Sequence, residues 1–378
     1  MIRVSLRRPM MAHAKILVIR LSALGDVLFT LPAVHALKLA HPDAEIDWLV
    51  EERAAALLGM YGGLRRVVVW ERAGLARDGR RPLRWPRAAA AAARHLGALR
   101  RERYDFVLDF HGNWKSGLHA WLSRGARKIG YHRSHRREGS DLFVHETVRL
   151  PADARHRIDR ALALARAVEP SLPDEAPCPP LAIPPASRAF AEGVRAELGF
   201  GSEPYAILHP GTSKFGSIKR WRPDRFSHLA DLLRKRLGLR VLVTWGPGEE
   251  ELARSIAAGM KEAGGAATPR LGSLADLAAL QEGARVVVAS DSAALHLAAF
   301  LGVPVVGLYG PKDPEIYGPR FAPRRLVHVW LPCSPCTRRT CPDVLCMEEI
   351  GVGHVFEAAA RLLAAPAPAG TGGHEPVR

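Results

Sequence analysis

The stretch Lys15-Ile-Leu-Val-Ile-Arg-Leu-Ser-Ala-Leu-Gly-Asp-Val-Leu-Phe-Thr-Leu-Pro32 decides the class of fold. It begins as the apolar run of a buried strand, turns at one glycine, and continues with the periodicity of a helix. In open α/β sheets, ligands bind outside the carboxyl ends of the strands, so Ser22, Gly25 and Asp26 lie where a substrate approaches. An aspartate in a first helical turn also commonly offsets the free N–H groups there, so Asp26 is a candidate and not yet an assignment. The turn lacks G-x-G-x-x-G, which argues against NAD.

Length and composition limit the possible classes. The chain has 378 residues, which favours two domains, and it is 48% hydrophobic and 24% charged. No apolar run reaches the roughly 20 residues that span a bilayer, so we expect a cytoplasmic protein without a signal peptide. The 54 Lys+Arg exceed the 38 Asp+Glu by 16 charges. This surplus favours an anionic partner, either a phosphate-bearing substrate, an acidic membrane or a nucleic acid, although arginine-rich helices can also be plain solvated surface.

Strand and helix patterns alternate along both halves, which predicts two doubly wound domains with parallel sheets. Seven prolines between residues 169 and 185 interrupt the alternation and mark a linker. We therefore predict an N-terminal domain over 1–180 and a C-terminal domain over 181–352. The Pro-, Gly- and Ala-rich end over 366–378 is expected to be disordered.

In the first half, three segments carry candidate anion-binding residues. Asp109-Phe-His-Gly-Asn-Trp-Lys-Ser116 follows a strand and opens a helix, so it shares a sheet edge with Asp26. Tyr131-His-Arg-Ser-His-Arg-Arg137 and the segment 80–87 concentrate cations in loops. Each is compatible with a solvated loop, but three cationic loops at one edge favour an acidic substrate.

In the second half, candidate ligands again follow strands. His209-Pro-Gly-Thr-Ser213 leads on to Lys219, and hydroxyls, backbone N–H groups and a lysine are what a diphosphate needs. Trp245-Gly-Pro-Gly-Glu-Glu-Glu251 offers glutamates either to ribose hydroxyls or to the helix dipole. Ser290-Asp-Ser-Ala-Ala-Leu-His296 places Asp291 and a histidine around a helix start.

Four cysteines cluster near the C-terminus, at Cys333, Cys336, Cys341 and Cys346. The first pair has C-x2-C spacing, which is compatible with a zinc or iron–sulfur site, but the C-x4-C spacing that follows departs from the zinc templates. Reduced thiols are equally compatible with the spacing, and disulfides are disfavoured in the cytoplasm. The sequence leaves open whether these cysteines bind metal, pair or stay reduced.

Taken together, the motifs resemble bacterial lipopolysaccharide heptosyltransferases of glycosyltransferase family 9. The segments that carry the resemblance are Ser22–Leu28 with Leu31-Pro32, Trp48–Glu52, Asp109–Ser116, His209–Trp221 and Asp291–Pro314. The cysteine cluster also recurs in this family. Glutamine usually stands where this chain has His111, and Thr-Gly often stands where it has Ser292-Ala293.

The resemblance implies a GT-B fold, with two Rossmann-like domains facing a central cleft and a C-terminal helix over 353–365 that returns to the first domain. It implies Asp26 as catalytic base. The donor ADP-L-glycero-β-D-manno-heptose would be bound in the second domain by Thr212, Ser213, Lys219, Glu249, Glu250, Asp291, Ser292 and His296. The acceptor would be bound in the first domain by Ser22, Gly25, Asp109, His111, Gly112, Lys115, Ser116, Arg133, Arg136 and Arg137.

The implied reaction is an inverting heptose transfer to the Kdo residue of the lipopolysaccharide inner core, at the inner face of the cytoplasmic membrane. No Asp-x-Asp motif is present, so no metal or other cofactor is expected. A same-fold transferase that adds the second heptose or another sugar remains an alternative. A nucleic-acid-binding protein is an alternative of another class, although no helix-turn-helix, RNA-recognition or zinc-finger signature supports it.

Overall fold

The computed structural model describes residues 13–72, 74, 85–135, 138–212 and 214–365, with the side chains of residues 214 and 215 left aside. The chain divides into two compact units, Met1–Pro179 and Pro180–Arg378. The predicted boundary after residue 180 lies one residue further along the chain. The predicted disordered tail lies outside the described residues, as does most of the basic segment 80–87.

The first unit is built on a six-stranded parallel sheet. Its strands are β1 (Lys15–Ile19), β2 (Glu45–Glu51), β3 (Arg66–Trp70), β4 (Tyr104–Asp109), β5 (Gly125–Tyr131) and β6 (Glu146–Val148). They lie in the order β3-β2-β1-β4-β5-β6, and every pair is parallel. The central strand β1 contains the apolar run Ile16–Ile19, which is fully buried because both faces of the sheet are covered.

Helices connect these strands. They are α1 (Leu24–Ala40), α2 (Glu52–Leu58), α3 (Trp85–Arg100), α4 (Trp114–Leu122) and α5 (Arg157–Ala165). A 3-10 turn at Ser140–Phe143 packs against α4. Helix α1 is buried along most of its length and packs against α5. Its N-terminus is thereby fixed at the carboxyl end of β1, beside the first residues of α5.

The second unit repeats the same architecture. Its strands are β7 (Tyr205–His209), β8 (Arg240–Val243), β9 (Gly265–Ala267), β10 (Val286–Ser290), β11 (Val305–Tyr309) and β12 (Arg324–His328). They form a second parallel sheet in the order β12-β11-β10-β7-β8-β9. Counted from its own first strand, each sheet reads 3-2-1-4-5-6, the order of dinucleotide-binding domains. The two predicted Rossmann-like domains are confirmed.

The helices of the second unit are α6 (Pro185–Glu197), α7 (Pro223–Leu237), α8 (Glu250–Ala258), α9 (Leu274–Glu282), α10 (Ala293–Phe300), α11 (Pro314–Tyr317), α12 (Leu345–Glu348) and α13 (Val352–Ala364). A 3-10 segment, Lys214–Lys219, precedes α7. The C-terminal helix α13 packs against α7, β11 and β12, and these contacts lie within the second unit. The resemblance implies that this helix returns to the first domain, and that contact stays a prediction.

The strand order creates one topological switch point in each unit, between β1 and β4 and between β7 and β10. Adjacent connections leave the sheet in opposite directions there, and this opens a crevice at the carboxyl ends of the strands. Asp26 and the segment Asp109–Ser116 flank the first switch point. His209 and Asp291 flank the second.

Candidate active site

Asp26 lies in the first turn of α1, just past the carboxyl end of β1. Its carboxylate forms an ion pair with Arg20, with 2.9 Å between Oδ2 and the guanidinium Nη2, and Oδ2 also accepts a hydrogen bond of 3.4 Å from the Ala23 N–H. Its side chain keeps 31% of its surface exposed. Asp26 is therefore held in place by Arg20 and still accessible to a substrate.

The electrostatic surroundings keep Asp26 ionised. Burial raises the pKa of this carboxyl, but the positive charge of Arg20 and the fields of Arg157 and His111 outweigh it, so the pKa lies below the usual range. Arg157 opens α5, the helix packed against α1. A carboxylate at this position can accept a proton throughout the neutral pH range.

Arg20 was not predicted as a site residue. Besides its bond to Asp26, its Nη1 donates a hydrogen bond to the carbonyl oxygen of Phe110, which follows β4. Arg20 thus links the ends of β1 and β4 across the switch point. The available signal was an arginine inside an otherwise apolar strand, because such a charge is rarely buried without a partner.

Asp109, the last residue of β4, and Ser116, in the first turn of α4, were predicted to bind the acceptor and are fully buried. Asp109 Oδ1 accepts hydrogen bonds of 3.0 Å from the N–H groups of His111 and Gly112, and Oδ2 accepts one of 2.9 Å from the Ser116 hydroxyl. Burial raises the pKa of Asp109 to about 6 despite these bonds. Both side chains therefore stabilise the conformation of the loop between β4 and α4.

We expect Ser116→Ala to lower the free energy of unfolding by about 1–2 kcal/mol, because Asp109 loses a buried hydrogen-bond donor. Urea unfolding followed by circular dichroism measures this change. Ser134→Ala, which alters an exposed serine of the same unit, is the control. Equal stability of the S116A variant and the parent would contradict the proposed packing of the loop.

The remaining predicted acceptor residues surround this loop to different degrees. His111 and Lys115 are partly exposed, and the Lys115 ammonium lies 5.7 Å from the ring centroid of Trp114. Arg133 is exposed on the segment after β5. Arg136 and Arg137 lie outside the described residues. Lys115 and His111 thus lie near the first switch point with side chains partly open to solvent.

In the second unit, Lys219 and Asp291 meet across the second switch point. The Lys219 ammonium donates to the Asp291 carbonyl oxygen at 2.7 Å and to its carboxylate Oδ2 at 2.9 Å. His296 Nε2 lies 3.3 Å from Asp291 Oδ1. Burial raises the pKa of Asp291, but the bonds to His296 and Lys219 outweigh it and lower the pKa to about 2. Lys219, Asp291 and His296, each predicted to bind the donor, therefore lie together.

Glu249 joins the loops after β7 and β8. Its Oε1 accepts hydrogen bonds of 3.0 Å from the Thr212 N–H and 2.9 Å from Arg220, and its Oε2 accepts one of 3.1 Å from the Gly246 N–H. Glu249 packs so closely over Gly211 that a Cβ there would lie 2.0 Å from its Oε2. The absence of a side chain at Gly211 permits this contact. Glu249 therefore holds the loops after β7 and β8 together at the second switch point.

The other predicted donor residues differ in exposure. Thr212 is 8% exposed, and its hydroxyl donates to the Gly216 carbonyl oxygen at 2.9 Å. Glu250 is exposed and pairs with Arg254 at 2.6 Å on the surface of α8. Ser292 caps α10 by accepting from the Leu295 N–H at 3.5 Å. Ser213 lies outside the described residues.

Arg220 is a second residue that sequence reasoning missed. Its Nε donates to the Thr212 hydroxyl at 3.2 Å, and its Nη2 pairs with Glu249 at 2.9 Å. In the sequence, Arg220 stands out only because it follows Lys219. No spacing pattern predicts that its side chain bonds to Thr212 and Glu249. Arg220 and Lys219 together give this crevice two cations.

The described residues lack two features, a membrane-spanning helix and a preformed metal site. No helix among them is both long and apolar enough to cross a membrane. No three His, Cys, Asp or Glu side chains among them are grouped closely enough to form a ready metal site.

Comparison with known proteins connects this geometry to a family. The family model of glycosyltransferase family 9 (heptosyltransferase) matches residues 92–345. Lipopolysaccharide heptosyltransferase 1 of Pseudomonas aeruginosa is 32% identical over 334 residues, which are 86% of this chain and 87% of that protein. The enzyme of the same name from Escherichia coli K12 is 29% identical over 80% of this chain and 90% of its own length.

Solved structures agree with the fold. E. coli heptosyltransferase WaaC with ADP has a TM-score of 0.72 at 25% identity, over 92% of this chain and 99% of that one. E. coli ADP-heptose lipopolysaccharide heptosyltransferase II has the same TM-score at 22% identity, over 92% and 98%. The GT-B fold and the enzyme class predicted from sequence are confirmed. The chain belongs to glycosyltransferase family 9, the heptosyltransferases.

Proposed function

We propose that this enzyme transfers heptose from ADP-L-glycero-β-D-manno-heptose to the Kdo residue of the lipopolysaccharide inner core, with inversion and without a metal. The observation that carries the proposal is the accessible, ionised carboxylate of Asp26 beside Arg20 at the first switch point. Relatives named lipopolysaccharide heptosyltransferase 1 support the first heptose as the one added.

In the proposed reaction, Asp26 takes the proton of an acceptor hydroxyl as its oxygen attacks the anomeric carbon of the heptose. The bond to the diphosphate breaks on the opposite face, so the configuration at that carbon inverts. ADP leaves readily as a diphosphate, and one base is then sufficient. The second carboxylic acid that glycosidases use serves to protonate a poor leaving group.

The second unit would bind the donor. We expect Lys219 to neutralise the diphosphate, with the N–H groups of the loop after β7 and the hydroxyls of Thr212 and Ser213 as further ligands. Asp291, oriented by His296, would accept hydrogen bonds from heptose hydroxyls. WaaC structures with ADP and with a fluorinated ADP-heptose support an ADP-linked donor. Cations and backbone dipoles would perform the charge neutralisation that other transferases assign to a metal.

The distribution of charge supports an anionic acceptor at the first unit. Residues 1–179 contain 31 Lys+Arg and 19 Asp+Glu, whereas residues 180–378 contain 23 and 19. Three-quarters of the net charge of +16 therefore belongs to the first unit. Kdo carboxylates and lipid A phosphates match this surplus, and so does the anionic inner face of the cytoplasmic membrane, where we place the enzyme.

We expect Arg20→Met to move the acid limb of the pH–rate profile to higher pH. Transfer needs ionised Asp26, so the rate falls as the pH drops through the pKa of Asp26. The charge of Arg20 lowers that pKa, and its removal raises it. A profile of kcat/KM for the acceptor measures the shift. If kcat falls while the acid limb remains at the same pH, Arg20 does not act by lowering the pKa of Asp26.

The proposed function is tested by ADP release from ADP-heptose with purified Kdo-lipid A, in the presence of EDTA. We expect ADP release, and NMR of the product should show that the configuration at the anomeric carbon is inverted. Release only with an acceptor that already carries one heptose would favour the alternative that the enzyme adds the second heptose. A protein that binds ADP-heptose and transfers to neither acceptor would overturn both assignments.

A further inference from the structure

The four clustered cysteines line one cavity in the second unit. Cys333, Cys336, Cys341 and Cys346 all border it, together with Ile218, Pro311 and Arg338. All four are free thiols. The fifth cysteine of the chain, Cys178, belongs to the first unit. Only the cysteines spaced C-x2-C-x4-C-x4-C are therefore brought together.

The turn that carries the first pair is anchored to the end of β11. The Cys336 N–H donates to the Pro311 carbonyl oxygen at 2.9 Å, and the Ser334 hydroxyl donates to the carbonyl oxygen of Gly310. The Ser334 N–H closes the turn on the Leu331 carbonyl oxygen at 2.9 Å. The position of Cys336 is thus fixed by backbone hydrogen bonds.

Cys346 reaches the same place from a different element. It lies on the short helix α12, is 9% exposed, and packs so closely that a Cβ on Gly310 would lie 3.0 Å from its Sγ. Both ends of the cysteine cluster therefore rest on Gly310-Pro311. The intervening residues complete a loop around the cavity.

The segment that bears these thiols has little structure of its own. Residues 329–344 contain no helix or strand, apart from an isolated bridge between Leu331 and Ser334. Irregular segments of this length are uncommon inside compact domains, and those that occur usually carry a function or act as linkers. A metal bound by four thiolates would cross-link such a segment, and its binding energy would contribute directly to folding.

We propose that Cys333, Cys336, Cys341 and Cys346 bind one divalent, thiolate-preferring metal ion, zinc or ferrous iron, in a closed tetrahedral site. Four thiols would lose four protons and form four metal–sulfur bonds, which leaves a net charge of −2 at the site. Arg338, which also lines the cavity, offsets part of that charge. The thiols border the cavity without meeting at one point, so binding would draw them inward.

The position of the site gives it a consequence for the donor crevice. Ile218 lines the cavity and immediately precedes Lys219, the residue that bonds to Asp291. A metal there would stiffen the segment that presents Lys219, while taking no part in the chemistry. Binding of the metal itself does not depend on the proposed donor or acceptor, so the two proposals can fail separately.

The test begins with the full chain purified under reducing conditions and analysed by inductively coupled plasma mass spectrometry. We expect about one zinc or iron per chain, as a single four-thiolate site requires. Cys336→Ser and Cys346→Ser should lose this metal, and Cys178→Ser should retain it as the matched control. Addition of Co²⁺ to the reduced, metal-free protein should produce thiolate-to-cobalt charge-transfer absorption that C336S lacks.

A second measurement covers variants that fail to fold. On the unaltered chain, Zn²⁺ should protect four of the five thiols from alkylation, and mass spectrometry identifies which ones. The proposal is overturned if reduced protein binds neither Zn²⁺ nor Co²⁺, or if all five thiols react equally with Zn²⁺ present. Metal content that is unchanged in C336S and C346S would also overturn it, as would disulfides among these cysteines in the metal-loaded protein.

Discussion

Asp26→Asn is expected to lower kcat for heptose transfer by about two to four orders of magnitude, the usual contribution of a positioned base. The substitution keeps the shape of the side chain and removes its ability to accept a proton. Donor affinity should stay within about twofold, because the candidate donor residues belong to the other unit. Single-turnover ADP release gives the rate of the chemical step, and calorimetric titration with ADP gives the affinity.

The comparison needs a control of the same chemistry. Asp43→Asn removes an exposed carboxylate from the turn before β2 in the same unit, and it should leave kcat unchanged. Asp26→Asn should also retain its melting temperature within a few degrees, since this side chain is partly exposed. If D26N transfers heptose at the parent rate, another group is the base and the proposed mechanism is wrong.

Lys219→Met is expected to weaken ADP-heptose binding by about 10- to 100-fold, which corresponds to the loss of about 1.5–3 kcal/mol from a hydrogen bond to a charged group. The methionine retains most of the length of the side chain and removes its charge. Because the charge also stabilises the departing diphosphate, kcat should fall as well. Titration calorimetry and steady-state kinetics separate the two effects.

Lys235→Met is the matched control, because Lys235 is an exposed lysine of the same unit on helix α7. Lys219→Arg should restore part of the donor affinity, since the positive charge returns with a different shape. Unchanged affinity for ADP-heptose in K219M would remove Lys219 from the donor site and leave it only its structural bond to Asp291.

Much of the fold could be predicted because strong apolar runs dominate its central strands. Residues 16–19 and 286–290 are buried on both faces. In a sequence that alternates strand and helix patterns, such apolar runs are typical of the central strands of a parallel sheet. The strands without a readable apolar pattern lie at the edges of the two sheets. Glu146–Val148 and Gly265–Ala267 are three residues long, and Arg324–His328 begins with two arginines, so none has a readable apolar pattern.

The candidate site was predicted less completely than the fold. Position after a strand identified Asp26, Lys219 and Asp291, because the carboxyl ends of parallel strands converge. It could not distinguish a side chain that faces a ligand from one that bonds to its own loop, as Asp109 does. The partners of Asp26 and Glu249 depend on contacts between distant segments, which local patterns do not encode.

The bond between Lys219 and Asp291 affects which anions can bind at the donor site. Because two oxygens of Asp291 already occupy the ammonium group of Lys219, any incoming phosphate must compete with a carboxylate held in place by His296. Inorganic phosphate can gain contacts only with the cations and N–H groups at the diphosphate position. In our proposal a nucleotide sugar gains further contacts through its ribose and heptose, so it can loosen the pair. The enzyme should therefore work undisturbed amid the abundant free phosphate of a growing cell.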